Sequence, residues 1–252
     1  MKYKKNIDLI VQLTITSFKQ RYEGSFLGFF WYLLNPVLTF LFLYFIFVNL
    51  LGSNIENYAL YLLLGIIQWN FLSLAAGSSM KIIMVNSLLI KSLSFKRETL
   101  IISIVLMAFL SNIIELMIFF VILIFSVETS FWILLFPMIL IFQFLFALGL
   151  AFFLSSVLLF FRDLENIWNF VSKVWWFATP VFYSVSSNSN FIYLFNLFNP
   201  MYHLIESSRS ILVYGKSPDI YSLLAFILMS LISFAFGYLV FRHLKPKFAE
   251  MI

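Results

Sequence analysis

Residues 134–161 read LLFPMILIFQFLFALGLAFFLSSVLLFF, a run without a single Asp, Glu, Lys, Arg or His. A helix of about 20 such residues crosses a hydrocarbon core of about 30 Å. The rest of the chain repeats the pattern. Only 27 of 252 residues are charged (16 basic plus 11 acidic), 63% are hydrophobic and 21% aromatic. A soluble fold of this composition would lack the polar surface that keeps it in water. Lipid suits it, because backbone groups in hydrocarbon bond within helices. The fold class is therefore all-α, a polytopic membrane protein. The period-2 alternation of a β-barrel is absent.

Six apolar runs predict six spans, at residues 29–51, 58–78, 100–127, 131–161, 167–183 and 221–241. Lys and Arg set their direction, since these residues gather on the cytoplasmic side. With the N-terminus inside, fourteen of the sixteen basic residues are cytoplasmic, and only Arg209 and Lys216 lie outside. Both termini are expected in the cytoplasm. The net charge of +5 is thus a topological signal split among loops, and no nucleic-acid partner is implied. Lys2, Lys4 and Lys5 lead into an amphipathic segment rather than a cleavable signal peptide.

The whole chain, residues 1–252, is expected to form one transmembrane domain. In residues 1–28, Ile7, Ile10, Val11, Ile15, Phe18 and Tyr22 share one helical face, opposite Asp8, Gln12, Thr16, Lys19 and Glu23. That pattern fits an interfacial helix. Residues 29–183 hold spans one to five. Residues 184–218 combine a polar turn, a short apolar run and a helix start at Asn199-Pro200. They are read as extracytoplasmic re-entrant helices, the alternative being a loop on the outer surface. Residues 219–252 hold the last span and a tail.

Catalytic constellations are missing. His203 and His243 fall on opposite sides, and zero cysteines exclude thiolate chemistry and Cys-ligated metals. No metal, catalytic residue or resident cofactor is expected. Tyr214-Gly215-Lys216-Ser217 looks like the end of a phosphate-binding loop, but Ser210 stands where the earlier glycine belongs. Glu115 is the one carboxylate well inside a span, too little for an ion relay. Uphill movement of anything would need an external motor.

Several short motifs, in order, resemble the membrane subunit of ABC-2-type polysaccharide exporters, which carry O-antigen, teichoic acid or capsule-like glycans. They are Arg21-Tyr22, Ser25, Leu27-Gly28, Trp31 and Asn35-Pro36; Phe160-Phe161-Arg162-Asp163-Leu164-Glu165; Thr179-Pro180-Val181-Phe182-Tyr183; Asn199-Pro200-Met201; and Lys247-Phe248-Ala249-Glu250. The resemblance implies a homodimer in the bacterial inner membrane, docked on two copies of a cytoplasmic ATPase that binds ATP and Mg. It also implies an undecaprenyl-linked glycan passing between the protomers. Two other readings stand beside it: an exporter of a drug or small lipid, and a non-transport scaffold.

The loop from Lys81 to Glu98 joins basic residues to apolar ones, as a docking element does. Leu88, Leu89, Lys91, Phe95, Lys96 and Arg97, with Arg162 and Asp163, are the candidate ATPase contacts. Lys81, Lys91 and Arg97 are candidates for a lipid pyrophosphate. Aromatic faces shield the C–H surfaces of sugars, so Trp31, Tyr32, Trp69, Trp175, Trp176, Phe177, Phe182 and Tyr183 are candidate pathway residues. Core packing and interfacial belts are the competing roles for each of these rings.

Overall fold

The computed structural model describes residues 2–22, 28–50, 55–92, 95–128, 130–185 and 190–248, and among them every regular element is helical. Helix α1 is Lys2–Tyr22, and α2 is Gly28–Tyr44, continued by a π-helical turn Phe45–Leu50. Next come α3 (Tyr58–Met80), the short α4 (Ile82–Val85) and α5 (Ser87–Ser92), and α6 (Glu98–Ser126). A 3₁₀ turn, Phe131–Leu135, leads into α7 (Phe136–Leu158). Helices α8 (Leu164–Ala178), α9 (Asn190–Leu197), α10 (Pro200–Leu212) and α11 (Ile220–Leu244) complete the chain, followed by a 3₁₀ turn at Lys245–Lys247.

Four stretches are long and apolar enough to span: Tyr58–Met80 (23 residues), Glu98–Ser126 (29), Phe131–Leu158 (28) and Ile220–Lys247 (28). These coincide with predicted spans two, three, four and six. The predicted first span coincides with α2 and its π-helical continuation, residues 28–50, with Pro36 inside α2 removing one backbone donor. The predicted fifth ends early. Helix α8 stops at Ala178 after 15 residues, about 22 Å at 1.5 Å per residue, because Pro180 drives the residue before it out of helical geometry. Thr179 is extended accordingly, at φ −82° and ψ 134°.

Helix α3 is the axis of the bundle. It packs against α2, α6, α7 and α10 and is buried over most of its length. It is also the least apolar of the four long helices, carrying Gln68 and Asn70. Lipid-facing helices need apolar surface, whereas a helix surrounded by protein can keep amides bonded to its neighbours. Helix α10 reaches the middle of this axis. Its Ser208 hydroxyl accepts from Gln68 Nε2 at 2.6 Å, so α10 lies within the thickness of the bundle rather than along its end.

Asn199 caps α10 as its sequence predicts, its side chain accepting from the Met201 backbone N–H at 3.1 Å. The 214–217 segment proves to be the other end of the same helix. Gly215 has φ +61° and the Lys216 N–H returns to the Ser210 carbonyl at 2.8 Å, a glycine C-cap instead of a phosphate cradle. Helix α1 packs on α6, with buried Thr14 donating to the Ser103 carbonyl at 3.3 Å. The small Thr permits that approach, and Ile7, Val11 and Ile15 of the predicted apolar face point away from the bundle.

The most extensive helix pair is α7 with α11, and it depends on two glycines. A Cβ on Gly237 would lie 2.0 Å from the Gly149 carbonyl oxygen, and one on Gly149 would lie 2.4 Å from the Ser233 carbonyl. Backbone touches backbone there, as small residues allow in membrane helices. Gly149→Ala and Gly237→Ala should each lower stability by about 1–3 kcal/mol, read as a depressed melting midpoint in nanodiscs. Gly77→Ala, with nothing within 4 Å of its new methyl, should be neutral or stabilising by up to about 1 kcal/mol.

Candidate functional site

Pro180 leaves a stretch of non-helical backbone inside an apolar bundle, and its carbonyls need donors. Side chains from two helices supply them in register. Arg209 Nη1 donates to the Pro180 carbonyl at 2.7 Å and Nη2 to the Val181 carbonyl at 2.7 Å. The Tyr58 hydroxyl donates to Phe182 O at 2.9 Å and the Tyr61 hydroxyl to Tyr183 O at 2.6 Å. Four successive carbonyls, 180 to 183, are thus capped by one arginine and two tyrosines.

Arg209 is fully buried, and each of its three nitrogens bonds a carbonyl, with Glu206 Oε2 4.0 Å from Nη1. Nε and Nη2 reach the Tyr61 carbonyl at 3.2 and 3.1 Å, and the guanidinium carbon lies 3.2 Å from the Tyr61 ring centroid. Gly65, one turn along α3, makes room, since a Cβ there would sit 2.9 Å from Nη2 and 3.2 Å from Val181. Charged hydrogen bonds contribute about 1.5–3 kcal/mol each, which makes this the strongest polar contact between α10 and α3. Arg209 belongs to the interior and not to the outer surface charge that the basic-residue count assigns it.

This clamp fixes the aromatic wall next to it. Phe182 meets Phe47 at 5.0 Å, Trp176 at 5.7 Å and Phe177 at 5.9 Å between centroids. Together with Leu38, Thr39, Phe42, Leu43 and Ile46 these rings line a groove of about 550 Å³ between α2 and α8. Among the described lining residues Thr39 alone carries a hydroxyl, which donates to the Asn35 carbonyl at 2.9 Å.

A second set of contacts holds the C-terminal end of α8. Trp175 Nε1 donates to Asn199 Oδ1 at 2.8 Å, and Asn199 Nδ2 donates to Thr179 Oγ1 at 2.9 Å. The same asparagine that caps α10 therefore ties it to α8. His203 is equally structural, its ring nitrogens meeting the Leu197 carbonyl at 2.8 Å and Ser222 Oγ at 3.2 Å.

Of the candidate pathway residues, Trp176, Phe177 and Phe182 share the groove. Trp69 and Trp175 pack edge to face at 5.6 Å against the core. Tyr183 folds back, its hydroxyl donating to Ala178 O at 2.8 Å. Trp31 and Tyr32 lie on α2 with side chains outside the described set.

The docking candidates divide. Leu88 is 81% exposed and Leu89 38%, beside Val85 at 75%, so an apolar elbow projects from α4 and α5. Lys91 and Lys96 are exposed, and Phe95 is half-buried. Arg162 and Asp163 are exposed in the turn between α7 and α8. Arg97 turns inward, donating to the Lys245 carbonyl with its guanidinium 5.7 Å from the Phe248 ring. Lys245 Nζ also pairs with Glu98 Oε1 at 2.6 Å. Lys81 pairs with Glu165 Oε1 at 2.6 Å. Lys81 and Arg97, grouped on the sequence for one anion, therefore serve different neighbours.

A helical membrane bundle with a lateral aromatic groove and a projecting apolar elbow is the architecture of a transporter's membrane subunit. The chain belongs to the ABC-2 type transporter family, whose match covers residues 8–213. It is similar along its whole length to proteins named O-antigen export system permease protein RfbA. The one from Myxococcus xanthus is 29% identical over 247 residues, covering 97% of this chain and 95% of the relative. Two from Klebsiella pneumoniae are 28% and 30% identical, covering all of this chain and 99% and 98% of theirs.

Sequence reasoning missed the clamp. Its signal was an arginine inside a re-entrant helix, since an ionisable group at membrane depth demands a partner. Arg209→Met should cost about 2–6 kcal/mol, because the carbonyls of 180 and 181 lose their donors at about 1–3 kcal/mol each. Tyr58→Phe, losing one neutral bond, should cost about 1 kcal/mol. Melting midpoints in nanodiscs check the ranking, and equal losses would remove Arg209 from its central place.

Proposed function

We propose that this chain is the transmembrane permease subunit of an ATP-driven exporter of an O-antigen-like polysaccharide. The likeness to O-antigen export permeases over practically the entire length of both partners carries the reading. The glycan is carried on a polyprenyl pyrophosphate lipid, and ATP with Mg is hydrolysed on two copies of a separate cytoplasmic subunit. Six crossings with both termini in the cytoplasm of the inner membrane agree with the fourteen-to-two distribution of basic residues.

The functional unit is a homodimer. Helix α8 buries none of its residues within one chain, and Phe170 and Phe177 on it are 69% and 61% exposed. Helix α2 likewise shows Phe42 at 64% and Leu41 at 53%. A second copy closing over this flank would turn the open groove into an enclosed channel, with the rings of Trp176, Phe177 and Phe182 along its wall. Aromatic surfaces let sugars slide because they offer dispersion without fixed hydrogen bonds. The nearly unbroken apolar lining also supports a second reading, export of a small lipid.

The elbow at Val85 and Leu88 supplies the anchor for the ATPase, as exposed apolar tips fill pockets on partners. Val85→Asp with Leu88→Asp should release the ATPase from the purified complex while the subunit stays folded. Stoichiometric retention would place the docking surface elsewhere. Deleting the gene should strip the O-antigen-like glycan from the cell surface and leave it inside. An intact surface glycan would favour the small-lipid reading.

A further inference from the structure

Three side-chain amides meet at the centre of the bundle. Gln68, Asn112 and Gln143 sit close to the midpoints of Tyr58–Met80, Glu98–Ser126 and Phe131–Leu158. Asn112 Nδ2 donates to the Ile67 carbonyl at 3.2 Å, Gln143 Nε2 to the Gln68 carbonyl at 3.3 Å, and Gln68 Nε2 to Ser208 Oγ at 2.6 Å. One turn of α3 therefore receives α6, α7 and α10 together. All four side chains are at most 1% exposed.

The donors are used, but the acceptors are not. No described protein atom bonds to Gln68 Oε1, Asn112 Oδ1, Gln143 Oε1 or the neighbouring Ser207 Oγ. An unmet buried polar atom costs about 1–3 kcal/mol, and lipid at this depth offers no donor. Exchanging O and N of Asn112 or Gln143 would break the bonds their nitrogens make to carbonyls, and in Gln68 it would turn the Ser208 hydroxyl away from the Leu204 carbonyl. The sites need small donors from outside the chain.

We propose that the junction of α3, α6, α7 and α10 holds ordered water that donates to these amide oxygens and bonds Ser207. A water has two O–H groups, so about two molecules serve the four sites. Two such waters fall well within the usual complement of proteins, about one buried water per 27 residues. Carbonyl-type oxygens with water between them can exchange partners without losing bonds. The node thus joins the short helix α10 to three long helices through contacts that tolerate small displacements. Ser208 and the Arg209 clamp are adjacent on α10 but differ in kind, one wet and adaptable, the other direct.

Radiolytic oxygen labelling of the assembled complex in nanodiscs, in H₂¹⁸O, tests this. Ile67 and Leu204, whose carbonyls accept from node side chains, should incorporate ¹⁸O several-fold faster than the equally buried Ile101 and Leu154 in the dry core. Equal rates overturn the proposal. The double variant Asn112→Leu, Gln143→Met should bring Ile67 and Leu204 down to the control rate. If it fails to assemble, the wild-type comparison decides. Labelling at these residues that appears in choline chloride and is lost when sodium or potassium is restored would mean a cation takes the oxygens, and would also overturn it.

Discussion

Everything irregular in this protein depends on one constraint: backbone that leaves the helix inside a membrane must find hydrogen-bond donors there. Pro180 ends α8 within the bundle and exposes four carbonyls in a row. The chain meets them with Arg209, Tyr58 and Tyr61. A buried guanidinium is costly to desolvate unless its donors are occupied, and here each nitrogen has a carbonyl partner. The same contact solves two problems, the open backbone and the buried charge. Its consequence is geometric. Phe182 and Tyr183 cannot shift without α3 and α10, so the aromatic wall is as rigid as the bundle axis.

The central helix shows the same logic in a milder form. Gln68, Ser79 and the two tyrosines of α3 face protein, and the helices around its rim carry the exposed Leu, Ile and Phe. Helices α7 and α11 rely mainly on close backbone packing at Gly149 and Gly237, with one bond from the Ser233 hydroxyl to the Phe146 carbonyl at 3.2 Å. Between helices in lipid there is no hydrophobic drive to associate, so close backbone packing and hydrogen bonds must do that work. This chain uses one on each side of its core.

Much of this was legible in the sequence because it is local. Apolar run length placed the four long helices to within a few residues, and Asn199-Pro200 announced the start of α10. Run length failed where a helix ends by chemistry instead of composition: residues 179–183 are as apolar as a span but follow Pro180's geometry. Partners distant in sequence were illegible. Tyr61 and Arg209 are separated by 148 positions, and nothing in either neighbourhood names the other. The basic-residue count treats every arginine as solvated, so it did not reveal that Arg209 is buried. The contact of the Arg97 guanidinium with Phe248 of the tail was equally out of its reach.

The two ends of α8 are held with unequal strength, and that bears on how the groove can change. At the C-terminal end Thr179 and Asn199 are buried, and the bonds from Trp175 and Asn199 leave unmet polar atoms if they break. At the other end the Lys81–Glu165 pair is 55% and 40% exposed, and such surface pairs contribute about 0–1 kcal/mol. No α8 side chain is buried in between. Leu164 and Trp168 also pack at the Glu165 end on Ala76, Met80, Leu154 and Leu158, so a displacement of the loop that carries Lys81 reaches α8 at an end held by apolar packing and a surface pair. On the proposed reading that loop is where the ATPase presses. On that reading the spacing between α2 and α8 would respond more at the Glu165 end than beside the Arg209 clamp, whose four carbonyl contacts tie residues 180 and 181 to α3 and α10.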